Sequence, residues 1–333
     1  MSQPQFDVLG IGNAIVDVMA RAEDDFLVNQ GLAKSSMHLI DGERAEALYA
    51  AMGPAIEASG GCAGNTAAGV ASFGGRAAFI GKVADDTLGR FYRHDMRSSG
   101  VHFATASLTG GEPTARSMIL ITPDGERTMN TYLGACQALG PDDIDETLVG
   151  ASAITYLEGY LWDPPQAKQA FRRAAAIAHK AGRQVALTLS DAFCVDRYRA
   201  EFLDLIRSRT VDIVLANDSE ARSLYETASL EAAVAALGRD AALAAVTIGA
   251  DGALVVTPQG VESVPATTVD RLIDLTGAGD LFAAGFLYGV VRGLALSDAA
   301  RLGAIAAAEV IGHVGPRPEA SLSDLARQAG FAL

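Results

Sequence analysis

Residues 153–248 alternate short apolar segments with helical ones, and this alternation limits the fold more than any other feature of the sequence. The predicted strands are 153–157, 185–189, 213–216 and 244–248, and the predicted helices between them are 165–181, 196–207 and 219–224. Strands that alternate with helices of this length form a parallel sheet covered by helices on both faces. Ligands of such sheets bind beyond the carboxyl ends of the strands.

Residues with reactive or ligand-binding side chains follow the predicted strands, so we expect them at one edge of the sheet. An apolar segment at 6–12 is predicted as a further buried strand and is followed by Asn13 and Asp17. Another strand is predicted at 269–272, before Gly277. The remaining residues that follow strand ends are Tyr160, Phe193, Asn217, Glu220, Thr247 and Gly249.

Composition restricts the kinds of function that the chain can have. The 333 residues carry a formal net charge of −14 with no basic cluster, which argues against nucleic-acid or acidic-membrane partners. Half of the residues are hydrophobic, so the chain can bury a large core. The N-terminus has no signal-peptide pattern, and the longest apolar run, 281–291, is too short to span a bilayer. Three widely separated cysteines fit reduced thiols, and we expect a cytoplasmic protein.

A β-ribbon pattern replaces the alternation between residues 104 and 134. Apolar segments at 117–121 and 127–132 flank Pro123-Asp124-Gly125, which is a strong turn sequence. Together with short predicted strands at 16–20 and 36–40, this ribbon would form a small second sheet. We therefore predict a single domain, residues 1–333, whose lid is built from insertions at about 14–40 and 104–134.

Two glycine-rich stretches have the sequence of loops that lead into helices. Ser59-Gly60-Gly61-Cys62-Ala63-Gly64-Asn65 lacks the Gly-Lys-Ser/Thr of a phosphate-binding P-loop, so it either meets an uncharged polar ligand or forms a tight turn. At Gly277-Ala278-Gly279, the backbone N–H groups of a helix start would be free to bind an anion. Asp280 then either caps this helix or takes a proton from an attacking alcohol.

Three segments occur in an order and at separations that together point to one family: Gly61-Cys62-Ala63-Gly64-Asn65, Asn217-Asp218-Ser219-Glu220 and Asp274-Leu275-Thr276-Gly277-Ala278-Gly279-Asp280. Together they resemble the PfkB (ribokinase-like) family of carbohydrate and nucleoside kinases, and the resemblance covers nearly the whole chain. It implies a ribokinase-like three-layer α/β/α fold, with a central, mainly parallel sheet and a small β-sheet lid. It also implies ATP as co-substrate and an alcohol group as the phosphoryl acceptor.

Within this family the chain is similar to the adenosine kinases. The segments that resemble this group are Gly12-Asn13-Ala14-Ile15-Val16-Asp17 with the following Asp25-Phe26-Leu27, Glu158-Gly159-Tyr160, and Leu189-Ser190-Asp191-Ala192-Phe193. The resemblance implies phosphorylation of the primary hydroxyl of a nucleoside, with adenosine as the first candidate. The alternatives are a sugar kinase of the same family and a catalytically silent nucleoside-binding protein.

The resemblance assigns roles to residues at the predicted edge of the sheet. Asp280 would be the base, and the N–H groups of Gly277, Ala278 and Gly279 would bind the transferred phosphate. Arg127 would contact the phosphates as the lid closes, or it is an exposed ribbon arginine. The ribose hydroxyls would be held by Asn13, Asp17, Gly60, Gly61 and Asn65.

The resemblance also assigns residues to the base pocket and to the nucleotide side of the site. Tyr160 and Phe193 would line the base pocket, or they are ordinary core aromatics. Asn217 and Glu220 would position Mg²⁺, partly through water, or they form a helix cap with an acidic first turn. The ATP-side residues would be Asn217, Thr247, Gly249 and Gly252.

The resemblance does not decide three features of the protein. The family often carries a potassium site near the residue that Asp274 matches, formed largely by backbone carbonyls, but Leu275 stands where the family usually has threonine. Asp251-Gly252, on the ATP side, also has the sequence of a plain hairpin turn. The oligomeric state is expected to be either a monomer or a homodimer.

Overall fold

The structure, a computed structural model, describes residues 3–333 and contains two β-sheets. The strands in chain order are β1 (Phe6–Ile11), β2 (Ile15–Arg21), β3 (Met37–Leu39), β4 (Ala55–Ser59), β5 (Ala77–Ile80), β6 (Val101–Phe103), β7 (Ala115–Ile121), β8 (Arg127–Tyr132), β9 (Ser152–Glu158), β10 (Gln184–Thr188), β11 (Ile213–Asn217), β12 (Leu243–Thr247), β13 (Ala253–Thr257) and β14 (Gly260–Val264). The α-helices are α1 (Asp24–Asn29), α2 (Gly42–Ala51), α3 (Cys62–Ser72), α4 (Thr87–Ser98), α5 (Glu146–Gly150), α6 (Pro165–Lys180), α7 (Ala192–Arg207), α8 (Asp218–Leu224), α9 (Leu230–Asp240), α10 (Ala278–Val291), α11 (Leu296–Val310) and α12 (Leu322–Gln328). Within residues 3–333 no helix has the length and apolar character needed to cross a bilayer.

The larger sheet has nine strands in the order β14-β13-β12-β11-β10-β9-β1-β5-β6. The strands from β12 to β6 run parallel, and β13 and β14 run antiparallel at one end. Leu9 of β1 pairs with Ala78 of β5 on one side and with Thr155 of β9 on the other. Parallel neighbours need long crossover connections, which the helices between the strands supply. The predicted parallel sheet is confirmed.

Helices cover both faces of the larger sheet, which confirms the predicted three-layer α/β/α architecture. On one face, α3, α4, α10, α11 and α12 bury a core that contains Phe79 and Phe286. On the other face, α5 to α9 bury a second core around Trp162. Val8 and Leu9 of β1 belong to opposite cores, because successive side chains of a strand point to opposite faces.

The smaller sheet contains the ribbon that the sequence predicted, in the strand order β3-β8-β7-β2-β4. Strands β7 and β8 pair antiparallel on either side of the predicted turn at 123–125. Helices α1 and α2 cover one face of this sheet through a core that includes Leu27, Leu48 and Met118. Ser117 and Thr131 hydrogen-bond to each other at 2.9 Å and belong to the wall of the central cavity.

Several local departures from the predictions lie where side chains are exposed, and the mainly buried strands β6 and β13 were not predicted either. The strand predicted at 269–272 is wrong, because residues 265–276 form no strand and the apolar side chains of Leu272 and Ile273 are exposed. Strand β4 was not predicted, since its first three residues are exposed and carry no alternating pattern. The alternative reading of Asp251-Gly252 as a hairpin turn is confirmed: it joins β12 to antiparallel β13, with Gly252 at φ 98°.

Candidate active site

A single cavity of about 880 Å³ lies where the smaller sheet faces the carboxyl ends of the parallel strands. Most of the residues predicted to form the site line it. These are Asn13, Asp17, Gly61, Asn65, Tyr160, Phe193, Asn217, Glu220, Thr247, Gly277, Gly279 and Asp280. The other predicted residues lie behind or beside the wall of the cavity: Gly60, Arg127, Gly249, Gly252, Asp274 and Ala278.

Asp280 lies in the first turn of α10, at the end of the helix that faces the cavity. Its carboxylate accepts a hydrogen bond from Nδ2 of Asn65 at 2.8 Å. Removal from water raises the pKa of Asp280 to about 6, while the hydrogen bonds from Asn65 and Cys62 and the charge of Arg317 oppose that rise. A carboxylate with this pKa is largely ionised at neutral pH and is well matched to accept a proton.

The backbone before Asp280 presents amide groups to the cavity. Gly277, the N-cap of α10, has φ 81°, and a Cβ there would lie 2.8 Å from Cα of Pro316. A Cβ on Gly279 would meet no protein atom within 4 Å, so this residue faces open space. Within residues 3–333 the N–H groups of Gly277 and Gly279 have no protein acceptor, whereas the N–H of Ala278 donates to the carbonyl of Leu275 at 3.2 Å. Two of the three predicted donors are therefore free for an anion.

Arg127 is neither free nor exposed. Its guanidinium forms an ion pair with Asp274 at 2.5 Å and donates to the hydroxyl of Thr276 at 3.0 Å. The Asp274 carboxylate also accepts from the N–H groups of Thr276 at 3.0 Å and Gly315 at 2.9 Å. The alternative reading of Arg127 as an exposed ribbon arginine is wrong, because the side chain connects β8 to the segment that precedes α10.

The predicted ribose residues cluster around Glu158, a residue to which the sequence reasoning gave no role. Glu158 ends β9 and is buried, and it accepts hydrogen bonds from Nδ2 of Asn13 at 2.7 Å and from the N–H of Ala63 at 2.9 Å. Burial raises its pKa to about 7, against the lowering effect of these hydrogen bonds. The sequence did contain one clue to a role for Glu158. This residue directly follows the strand predicted at 153–157, at the same edge of the sheet as Asn13.

Asp17 lies next to Gly60, and Gly61 lies next to Asn13, in the loop that leads into α3. Asp17 is buried, and this raises its pKa to about 7, although the charges of Arg317 and Arg127 act in the opposite sense. Any side chain on Gly60 would collide with the Asp17 carboxylate, and a Cβ on Gly61, at φ 85°, would collide with the carbonyl of Asn13. Both glycines are therefore required for the close approach of the loop to Asn13 and Asp17.

Asn217 and Glu220 form the helix cap that was the alternative reading of this pair. Asn217 is the N-cap of α8, and its Oδ1 accepts from the N–H of Glu220 at 2.8 Å. The Glu220 carboxylate accepts from the N–H of Asn217 at 3.0 Å, and burial raises its pKa to about 7. Within residues 3–333 no group of three or more His, Cys, Asp and Glu side chains is arranged to hold a metal ion.

Two aromatic residues stand at the outer part of the cavity. The Phe193 side chain is 66% exposed, so its interpretation as a core aromatic is wrong. The Arg197 guanidinium covers one face of the Phe193 ring at 4.7 Å and forms an ion pair with Asp163 at 3.1 Å. Tyr160 is partly buried, and loss of solvent raises the pKa of its hydroxyl.

Comparison with known proteins assigns this site to a family. A family model described as "pfkB family carbohydrate kinase" matches residues 56–322 of the chain. The chain belongs to the PfkB family. Kinases of this family phosphorylate hydroxyl groups of nucleosides or sugars. This protein is therefore a kinase that uses ATP as co-substrate and an alcohol as acceptor.

Related PfkB proteins are similar over most of the chain. An adenosine kinase from Sinorhizobium meliloti is 58% identical, with a TM-score of 0.93, over 98% of this chain and 100% of that one. A structure described as a probable sugar kinase protein from Rhizobium etli CFN 42 is 55% identical, also with a TM-score of 0.93, over 98% and 99% of the two chains. An ATP-dependent ribose-1-phosphate kinase from Halopiger xanaduensis is 32% identical over 69% of this chain and 73% of that protein.

Proposed function

We propose that this PfkB kinase phosphorylates the primary hydroxyl of a nucleoside, and that adenosine is its acceptor. The observation that carries this proposal is the Phe193 ring at the wall of the cavity, which is 66% exposed and has Arg197 on one face. A flat apolar surface suits the planar ring of a nucleobase, which can stack on it over its whole face, better than the puckered ring of a free sugar. The 58% identity to the adenosine kinase from Sinorhizobium meliloti supports the same acceptor.

Asp280 is the proposed base of the reaction. It would take the proton of the acceptor hydroxyl as the oxygen attacks the γ-phosphorus of ATP, and ADP would leave with the electrons of the broken P–O bond. The free N–H groups of Gly277 and Gly279 would stabilise charge on the transferred phosphoryl group. Ala278 is not assigned to this role, because its N–H is already bonded to Leu275.

The proposed ribose site consists of Asn13, Asp17, Gly61 and Asn65, with Gly60 giving the loop its close approach to Asp17. Asn65 is only 4% exposed, and its Oδ1 is buried without a hydrogen-bond partner while its Nδ2 is bonded to Asp280. An acceptor hydroxyl would satisfy this oxygen, since a buried unpaired polar atom is unfavourable. The same amide would thus touch both the base and the alcohol that the base activates.

The proposed nucleotide side contains Thr247, Asn217 and Glu220, and Arg127 is proposed to contact the phosphates once Asp274 releases it. Mg²⁺ would come with ATP and neutralise phosphate charge. One buried carboxylate and one amide, already bonded to each other, suit Mg²⁺ held through water rather than directly. Gly249 and Gly252 shape the adjoining turn. Near Asp274, whose carboxylate is already paired, potassium would depend on backbone carbonyls.

A competing function is phosphorylation of a free sugar, which the probable sugar kinase from Rhizobium etli favours. Initial rates with MgATP and adenosine, inosine, guanosine, ribose or fructose separate the two functions, and we expect the highest kcat/KM for adenosine. Phe193→Ala should lower kcat/KM for adenosine by about tenfold or more and leave the rate with sugars unchanged. Turnover of sugars with no turnover of any nucleoside would rule out the proposal.

The matched variant for catalysis is Asp280→Asn, which keeps the shape of the side chain and removes the base. We expect turnover to fall by at least about a thousandfold, while adenosine binding measured by calorimetry stays close to wild type. Wild-type turnover in this variant would exclude Asp280 as the base and would favour another group. A cytoplasmic location and a monomeric or homodimeric state remain predictions.

A further inference from the structure

Arg317 lies behind the cavity and connects two parts of the site that are far apart in sequence. Its guanidinium donates to the carbonyl of Ser59 at 3.0 Å, to the hydroxyl of Ser59 at 2.9 Å and to the carbonyl of Gly64 at 2.7 Å. These two residues flank the loop of Gly60 and Gly61. Three donors of one rigid planar group therefore hold that loop at both ends.

The segment that carries Arg317 also contacts the phosphate end of the site. Pro316 is the residue that a Cβ on Gly277 would meet, and Gly315 donates its N–H to the Asp274 carboxylate at 2.9 Å. We call residues 59–64 the acceptor loop. Residues 315–317 thus contact the acceptor loop on one side and the start of α10 on the other. A change in the position of this segment would alter the distance between the acceptor and the phosphate.

Arg317 is also a cation placed between carboxylates. Its charge lowers the pKa of both Asp17 and Asp280, against the raising effect of their removal from water. The cavity wall otherwise carries mainly acidic groups close to Asp280, and Arg127 on β8 is bound to Asp274. Other titratable and charged groups surround Asp17, Asp280 and Arg317. They are Cys62 on α3, Tyr92 and Asp95 on α4, Arg127 on β8, Tyr156 and Glu158 on β9, Glu220 on α8 and Asp274 before α10.

We infer that Arg317 is a positioning residue of this kinase, which holds the acceptor loop with its hydrogen bonds and places a positive charge near Asp17 and Asp280. The inference rests on the proposed function, because it concerns the same base and the same acceptor loop. Arg317 does not line the cavity, so it would act through Ser59, Gly64 and the two carboxylates.

Two substitutions separate the hydrogen bonds from the charge. Arg317→Gln loses the fork and also removes the charge, so the acid limb of kcat/KM should move to higher pH: we expect about a fivefold loss at pH 8 and a loss about tenfold greater than that at pH 6. Arg317→Lys keeps the charge and loses the fork, so the acid limb should stay in place while KM for the acceptor rises about fivefold. If Arg317→Gln does not fold, Arg317→Lys still tests the inference.

Arg292→Gln is the matched control. Arg292 follows α10 at the end opposite Asp280, is exposed and forms an ion pair with the buried Asp7 at 3.2 Å. This variant should lose some stability and keep the wild-type pH profile. The inference would be contradicted if both Arg317 variants kept the wild-type pH profile of kcat/KM and the wild-type KM for the acceptor. It would also be contradicted if Arg317→Gln lost kcat/KM equally at pH 6 and pH 8. If the wild-type protein phosphorylates none of the acceptors, the proposed function itself fails.

Discussion

At the scale of single residues, the glycines at the start of α10 are required for different reasons. Gly277 has a positive φ and leaves no room for a Cβ next to Pro316. Gly279 has neither constraint, since a Cβ there would meet no protein atom within 4 Å. The free space beside Gly279 is therefore better explained by the approach of a ligand to its N–H than by folding.

Gly279→Ala is a test of that explanation. The substitution should leave the melting temperature unchanged or slightly higher, because alanine is favoured over glycine in a helix. We expect kcat to fall by about tenfold or more, since the methyl group would occupy the space of the phosphate. Thermal unfolding and initial rates measure the two effects. Gly277→Ala is the comparison, and it should lower both stability and activity; full activity in Gly279→Ala would remove this residue from the anion site.

At the scale of elements, an ion pair connects strand β8 of the smaller sheet to the segment that precedes α10. Arg127 and Asp274 form that link, with side chains that are 13% and 3% exposed. Breaking a buried pair by removing one partner leaves an unpaired charge, which usually costs about 3 kcal/mol or more. The pair thus has a structural role in the free protein, whatever Arg127 does during the reaction.

A double-mutant cycle separates the structural role of Arg127 from its proposed contact with phosphate. Arg127→Met should destabilise the protein by about 3 kcal/mol, and adding Asp274→Asn should restore most of that loss. If Arg127 also contacts the phosphates, kcat stays low in the double variant. Denaturant unfolding and initial rates are the two measurements. Recovery of kcat together with stability would limit Arg127 to its structural role.

The sequence predicted most of the buried strands of the parallel sheet, and it missed the exposed β4, the short β6 and the antiparallel β13. The strands β9 to β12 were found because buried strands are almost continuously apolar. Strand β4 and the irregular segment 265–276 were misjudged, since exposed positions such as Leu272 carry no pattern. Asp280 and Asn65 could be named from local sequence, but the partners of Arg317 lie more than 250 positions away and are set by folding alone.

At the scale of the whole molecule, several acidic side chains are held in one cavity with raised pKa values. Asp17, Glu158 and Glu220 have pKa values of about 7, and Asp280 of about 6, all raised mainly by removal from water. A carboxyl group with a raised pKa binds protons more tightly in the folded state. Its contribution to stability is therefore complete below its unfolded pKa and is lost as pH rises through the folded pKa.

The ligand-free protein should accordingly become less stable between about pH 4.5 and pH 7. Asp17→Asn should reduce this slope, and it should raise the melting temperature at pH 8 by about 2 °C or more, because the neutral amide avoids burying a charge. Thermal unfolding from pH 5 to pH 8 measures both. Asp298→Asn, at an exposed position of α11, is the control and should keep the wild-type slope. An unchanged slope in Asp17→Asn would mean that Asp17 is ionised without penalty.

The contacts of residues 315–317 have a consequence for the order in which the protein is made. The chain is synthesised from its N-terminus, and domains can begin to fold while synthesis continues. The acceptor loop at 59–64 is complete early, yet the guanidinium that holds it and the proline behind Gly277 are added more than 250 residues later. A ribosome stalled before Arg317 emerges would thus carry a largely formed sheet with an unfinished reaction centre. We expect such nascent chains to be inactive, so that catalysis begins only after residues 315–317 have been added and have folded.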